Sequence, residues 1–265
     1  RSSDIQEFML VPVGFDRFSD ALRCGVEIYH TLGRLLEDRS LPTTVGDEGG
    51  FAPSLGSNRA ALDLLMIAIE HAGYKPGDQV MLAVDVAATE LHSAEGYRLS
   101  VENVLLQAAQ LVDMYEDWIK SYPLVSIEDG LGEDEWDDWK LMNERLSRLV
   151  QSVGDDLYTT NIDRINIGVK ECASNAVLIK PNQIGTLTET LRAIDLCNDA
   201  HWAAMMSHRS GETEDTTIAD LAVATRVGQI KAGAPSRSER VAKYNRLLRI
   251  EEALGSRATY AGMQA

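Results

Sequence analysis

Six apolar runs in this chain each lead into a residue able to carry charge or bind a ligand: Asp85, Glu128, Asp155, Lys180, His208 and Lys231. Acids and lysines are seldom fully buried without a partner, so a series of them at the ends of apolar runs needs a reason. Asp85, Glu128 and Asp155 end three successive runs, Val80 to Val84, Leu124 to Ile127 and Gln151 to Gly154. Carboxylates held close together repel one another unless a cation lies between them. An all-oxygen set suits a hard ion, with Mg²⁺ favoured because it keeps octahedral positions for water and substrate oxygens. Taken singly, each acid reads as a solvated loop residue or a helix cap; the set of three points to metal. Lys180 and Lys231 end two later runs. A lysine near a divalent cation and a second ammonium releases its proton more readily, as a general base must. Salt bridges that neutralise the acids are the other reading, and spacing alone does not separate the two.

The stretch Met206-Ser-His-Arg-Ser-Gly-Glu-Thr213 places a guanidinium, hydroxyls and a glycine at a strand-to-helix turn. That composition suits an anion, phosphate in particular, through a bidentate Arg fork and the N–H groups of a helix N-terminus. His208 alone reads as a hydrogen-bonded core histidine; beside Arg209 and Ser210 it reads as a substrate contact. Gly46-Asp-Glu-Gly-Gly50 is a flexible acidic loop, by itself a surface turn. Folded over the lysines, it sets Glu48 opposite them as the acid of an acid–base pair, with Glu7 as a second carboxyl. His30, His71, His92 and His201 show no ligand spacing. The spacing thus describes a Mg²⁺-dependent enzyme that removes a proton next to the carboxylate of a small phosphorylated acid, with a lysine base and a carboxylic acid.

The elements that must position these residues follow from hydrophobic period. Phe8 to Val13, interrupted by Pro12, reads as an edge strand. Helical spacing runs from Ser19 to Arg39 and from Asn58 to His71, separated by a loop from Pro42 to Pro53. Strand and helix then alternate. A helix is expected from about Val101 to Lys120, an acidic one from about Glu133, and a short one near Arg164 to Glu171. Thr186 and Glu189 form a capping box that opens a helix over Leu187, Leu191 and Ile194. The runs Trp202 to Met206 and Gln229-Ile230 flank a helix over Ile218, Leu221 and Ala222. The last helix is expected to open with a second capping box, Ser236 to Glu239. Alternation of this kind implies a parallel sheet. Two points favour a closed (β/α)8 barrel over an open sheet: a length near 250 residues, and polar residues at the ends of many strands, which converge on one mouth in that fold. No G-x-G-x-x-G, the usual signature of an open sheet's first turn, is present.

Composition narrows the class further. The formal charge of −16 argues against a nucleic-acid partner, since no basic face is available to displace counterions from phosphates. Cys24, Cys172 and Cys197 are odd in number and widely spaced, which fits free thiols in a cytoplasmic setting and not a disulfide or zinc framework. No apolar run has the roughly 20 residues needed to span a bilayer, and no signal peptide is visible. The chain starts at Arg1, and Asp4-Ile-Gln-Glu7 leads at once into a strand, which reads as the interior of a longer protein.

These motifs together resemble the catalytic barrel domain of enolases, bacterial in style. The resemblance runs from Asp4 to the C-terminus. It rests on Gln6-Glu-Phe-Met9, Gly46-Asp-Glu-Gly-Gly-Phe-Ala-Pro53, Ser126-Ile-Glu-Asp129, Gly154-Asp-Asp-Leu157, Leu178-Ile-Lys-Pro-Asn-Gln-Ile-Gly-Thr186, Ser207-His-Arg-Ser-Gly-Glu-Thr-Glu-Asp215 and Gln229-Ile-Lys-Ala-Gly-Ala-Pro235. It implies an α/β fold, a TIM-type barrel of the ββαα(βα)6 variety, forming one catalytic domain over residues 1–265. It implies dehydration of 2-phospho-D-glycerate to phosphoenolpyruvate, with one structural Mg²⁺ on Asp85, Glu128 and Asp155 and a second arriving with substrate. Lys180 would take the C2 proton, and Glu48, assisted by Glu7, would protonate the departing C3 hydroxyl. Arg209 and Ser210 would hold the phosphate, His208 would lie near the leaving group, and Lys231 would hold the carboxylate. The family's N-terminal α+β domain and first barrel strand have no counterpart here, so seven of eight strands are expected, with the remainder supplied by a second polypeptide or lost. The resemblance also implies a homodimer or octamer in the cytoplasm. The alternatives are a weak or inactive fragment, and a non-catalytic plasminogen-binding role at the cell surface or after secretion.

Overall fold

The computed structural model describes residues 3–265; Arg1 and Ser2, where the reading as the interior of a longer protein begins, lie outside the described residues. In chain order the first elements are β1 (Glu7–Pro12), α1 (Phe18–Asp38), α2 (Arg59–His71) and β2 (Val80–Asp85). Next come β3 (His92–Ser93), β4 (Gly96–Leu99), β5 (Val104–Leu106) and α3 (Ala108–Ser121). Strand and helix then alternate through β6 (Leu124–Glu128), α4 (Trp136–Leu146), β7 (Gln151–Gly154), α5 (Ile162–Glu171) and β8 (Ala176–Ile179). The chain closes with α6 (Pro181–Ile184), α7 (Leu187–Asp199), β9 (Ala203–Ser207), α8 (Thr217–Thr225), β10 (Gln229–Lys231) and α9 (Ser238–Leu254).

Among the described residues, seven strands form one sheet in the order β1-β2-β6-β7-β8-β9-β10. The β2/β6, β6/β7, β7/β8 and β9/β10 pairings are parallel. With two consecutive helices before β2, this is an α/β fold of the TIM type carrying seven strands, the expected barrel less one. All four residues of β8 are buried, as in strands covered on both faces, which read as continuous apolar runs. No helix of the described residues is long and apolar enough to cross a membrane.

The chain divides into two compact units. The first holds residues 1–9, 55–62 and 82–204, the second 10–54, 63–81 and 205–265. In the first, Val84, Ile127, Val153, Val177 and Ile179 are buried along the strands, and Tyr115 and Trp139 cover them from α3 and α4. The polar tips of these two rings find backbone acceptors, Gly130 O at 2.8 Å and Gly132 O at 2.9 Å, as buried Tyr and Trp require. Asn161 caps α5 by accepting from Asp163 N and Arg164 N, and Thr186 caps α7 by accepting from Glu189 N at 3.2 Å. In the second unit, Cys24, Ile28 and Leu36 form the buried stripe of α1. The first N–H groups of α1 have no local cap. Glu251 of α9 accepts from Phe18 N at 2.7 Å instead, a carboxylate at the positive end of a helix.

Two expectations need correction. The segment after Val101 is not helical as far as Gln107. It forms β5, paired antiparallel to β4 within a three-stranded sheet of β3, β4 and β5. Gln107 then caps α3, its side chain and that of Gln110 bonding each other's backbone N–H. Leu105 fits the helical period, but it is exposed, and the tertiary pairing with β4 outweighs the pattern. The Ser236–Glu239 box is also absent: α9 starts at Ser238 with no side-chain cap. Ser236 Oγ donates to Gly49 O at 2.9 Å, and Glu239 pairs with Arg237 at 2.6 Å.

Candidate functional site

In the first unit, parallel pairing aligns the strand ends. Asp85 and Glu128 are register partners on β2 and β6, and Glu128 is the partner of Val153, two residues before Asp155. Asp85, Glu128 and Asp155 are all buried. Ala87 N donates to one oxygen of Asp85 at 3.1 Å and Gln6 Nε2 to the other at 3.2 Å. Glu7 opens β1 next to Gln6, half-buried.

The tightest grouping there is one that sequence reasoning missed. One carboxylate oxygen from each of Asp129, Asp155 and Asp156 lies within 4.8 Å of the other two. Asp129 sits at φ 42°, a left-handed conformation that Asp tolerates better than most residues. Its two carboxylate oxygens accept from Asp155 N and Asp156 N, each at 2.8 Å, and so fix the backbone that carries Asp155. Burial pushes the Asp129 carboxyl well above the usual carboxylate range, and the charges of Asp155 and Asp85 add to the shift. Asp156 is raised for the same reasons, burial first and then Asp155. The only trace of these two acids in the sequence is that each follows a singled-out one, in Glu128-Asp129 and Asp155-Asp156.

Lys180, directly after β8, donates from Nζ to Asp155 Oδ2 at 2.5 Å, and its backbone N–H bonds Thr160 Oγ1 at 2.9 Å. Asp155 Oδ1 is buried and has no hydrogen-bond partner among the described residues. A buried carboxylate oxygen left unbonded is costly. A hard divalent cation would satisfy it, and Asp155, with Asp129 and Asp156 beside it and Asp85 and Glu128 on adjoining strands, could hold that ion.

In the second unit the buried charged residues, among those described, are basic. The loop around Glu48 closes through Gly46 N to Gly50 O at 2.8 Å, with Gly49 at φ 85°, where glycine alone is unstrained. Glu48 O accepts from Ala234 N at 2.9 Å, and Gly49 O from Tyr29 Oη at 2.8 Å. The loop expected to be flexible is thus pinned on successive carbonyls. Glu48 Oε1 accepts from Ser210 Oγ at 2.9 Å, and Oε2 lies 3.1 Å from His208 Nε2. His208 is 2% exposed. Burial lowers its pKa; Glu48 opposes the shift, and Arg240 and Lys231 reinforce it. Lys231, buried at the end of β10, accepts the His208 backbone N–H on its carbonyl at 3.0 Å.

Arg240 on α9 was not singled out, yet it is 1% exposed. It donates to His208 Nδ1 at 2.5 Å, Arg209 O at 2.6 Å, Ser210 O at 2.7 Å and Asp47 O at 3.1 Å. An Arg on an amphipathic helix reads as solvent-facing, and no sequence signal marks this one. The expected anion site also changes in form. Arg209 is half-buried and Ser210 exposed, but α8 begins only at Thr217, and its first N–H is already taken by Asp215 at 2.8 Å. Six residues of loop thus separate Ser210 from the first turn of this helix. Side chains and the fixed charge of Arg240 remain as the attraction for an anion.

The protein-family model for the enolase C-terminal TIM barrel domain matches residues 1–265.

Proposed function

The chain belongs to the family of enolase C-terminal TIM barrel domains, and on that premise we propose that it dehydrates 2-phospho-D-glycerate to phosphoenolpyruvate with Mg²⁺. The observation that carries this reading is the first unit's cluster of buried carboxylates, in which Lys180 is bonded to Asp155 and the other oxygen of Asp155 has no partner. Asp85, Glu128 and Asp155 would hold the cation, with Asp129 orienting Asp155 through its backbone N–H. Once bound, a divalent ion there neutralises the carboxylates and stabilises negative charge on the substrate's carboxylate as the C2 proton leaves.

The chain's own residues supply the remaining steps. Lys180 Nζ, held in place by Asp155 and by the bond of its own N–H to Thr160, takes the C2 proton. Glu48 gives a proton to the departing C3 hydroxyl, which leaves as water, and Glu7 assists. Ser210 Oγ donates to one oxygen of Glu48, and the ring of His208 lies 3.1 Å from the other. Arg209 and Ser210 bind the phosphate, and Lys231 binds the carboxylate. Burial of His208 and Lys231 strengthens their electrostatic contribution relative to water.

The test is turnover of 2-phosphoglycerate by the purified chain, followed by phosphoenolpyruvate absorbance with Mg²⁺, with EDTA, and with Lys180→Ala. Mg²⁺-dependent turnover lost in the variant supports the reading. A folded chain that binds Mg²⁺ and shows no turnover would overturn it for this polypeptide.

A further inference from the structure

In the second unit one buried cation bonds the segments that carry Glu48, His208, Arg209 and Ser210. The guanidinium of Arg240 meets the Glu48 loop at Asp47 O, the loop after β9 at Arg209 O and Ser210 O, and the ring of His208 at Nδ1. Its Nε–H has no hydrogen-bond partner among the described residues, the nearest carboxylate, Glu239, being 4.0 Å away. Gly233 packs against the same side chain. A Cβ there would come within 2.8 Å of both Arg240 Cδ and Glu48 O, at a φ of 87° that already disfavours any other residue. The burial is thus built into three loops.

A guanidinium has N–H donors and no acceptor, and it does not lose its proton in proteins. The nitrogen of His208 that faces it must therefore be the acceptor, and the ring proton must sit on Nε2. Nε2 faces Glu48 Oε2 at 3.1 Å.

We propose that Arg240 is a positioning residue that holds His208 as the neutral Nε2–H tautomer, with that N–H on the side of Glu48, while fastening the Glu48 and Arg209–Ser210 loops to α9. The role rests on the reading of Glu48 as an acid. A permanent imidazolium beside Glu48 would hold it as the anion, and the opposite tautomer would present a lone pair to a carboxylate lone pair. Arg240 removes both states. The charged groups facing the imidazole are Glu48, Arg240 and Lys231; the first favours the imidazolium, and the other two oppose it.

The experiment records the ¹⁵N and ¹H couplings of the His208 ring in the full chain, for the native protein, Arg240→Lys and Arg240→Met, across pH 5 to 8. The expected native signature is a protonated Nε2 and a bare Nδ1 at neutral pH. In Arg240→Met the ring is expected to titrate at higher pH and to lose the single tautomer; Arg240→Lys, which keeps a cation but not the fork, should show an intermediate shift. In turnover of 2-phosphoglycerate, Arg240→Met should lower kcat by roughly 100-fold, as misplaced catalytic groups do, with its pH profile displaced in the direction of the ring's titration. A native ring protonated on Nδ1, or charged at pH 7, overturns the proposal without any variant. So does an Arg240→Met ring that titrates as in the native protein. Absence of turnover in the native chain overturns the enzymatic reading instead and leaves the tautomer measurement intact.

Discussion

The two units bury surplus charge of opposite sign, and they compensate for it differently. Among the described residues the first buries Asp85, Glu128, Asp129 and Asp155, with Lys180 bonded to Asp155; the second buries Lys231, Arg240 and Lys243, with the buried ring of His208 3.1 Å from Glu48. The acids lean on backbone N–H groups, as at Asp85 and Asp129, and burial and like charges raise the Asp129 carboxyl well above the usual range, so that it takes up a proton more readily. Arg240 has no such escape. Its charge is permanent, so it is spread over three carbonyls and a ring nitrogen. The carboxylate cluster can therefore relax by taking up protons and Arg240 cannot. Under the proposed function, that would make the first a pH-sensitive cation site and Arg240 a constant positive charge.

The largest effect should come from Lys180→Ala, which removes the ammonium bonded to Asp155 in the carboxylate cluster. Turnover of 2-phosphoglycerate should fall by about 10²- to 10⁴-fold, the usual span for a lost general base, whereas folding by circular dichroism should be retained. In the other unit, Arg209→Ala should raise KM for the phosphorylated substrate by about tenfold to 100-fold, corresponding to about 1.5–3 kcal/mol for a charged hydrogen bond, and leave Mg²⁺ binding unchanged. An equal loss of Mg²⁺ affinity would break the division of labour between the units.

Asp129→Asn should weaken Mg²⁺ binding by about 10- to 100-fold, the usual cost of losing a group that orients a metal ligand, as read by titration calorimetry. Thermal melts sharpen the same point. The folded-state pKa of Asp129 is raised, so the native chain binds more protons than the unfolded one above the ordinary carboxyl range. In EDTA, its contribution to stability is full below about pH 4 and is lost as pH rises through the folded value. Saturating Mg²⁺ should flatten that slope and raise Tm. A melt that does not respond to pH in EDTA would show that the cluster carries no such strain. The smallest effect is expected outside both clusters. Thr186→Ala removes the cap of α7 and should cost about 1 kcal/mol of stability, with Mg²⁺ affinity and KM unchanged.

Much of this was legible in the sequence because it is local. The apolar run Ala176–Ile179 became β8, and the residues ending such runs stand at strand ends, because an apolar segment bounded by Pro, Gly or charge has few places to go but a covered strand. The Thr186 cap formed because its partner lies three residues away. The failures share the opposite cause. Leu105 kept helical spacing but went into a strand when β4 offered a partner, and Ser236 left its box for Gly49, far away in the chain. Asp129 and Asp156 showed only as neighbours of singled-out acids and Arg240 carried no signal, since a charged side chain reads as solvent-facing until the surrounding segments close over it. Residue type and order determined which groups could hold a cation, move a proton or bind an anion. Folding decided which of them lost water, and buried charge acquires its partners, its shifted pKa and its role only when that water is gone.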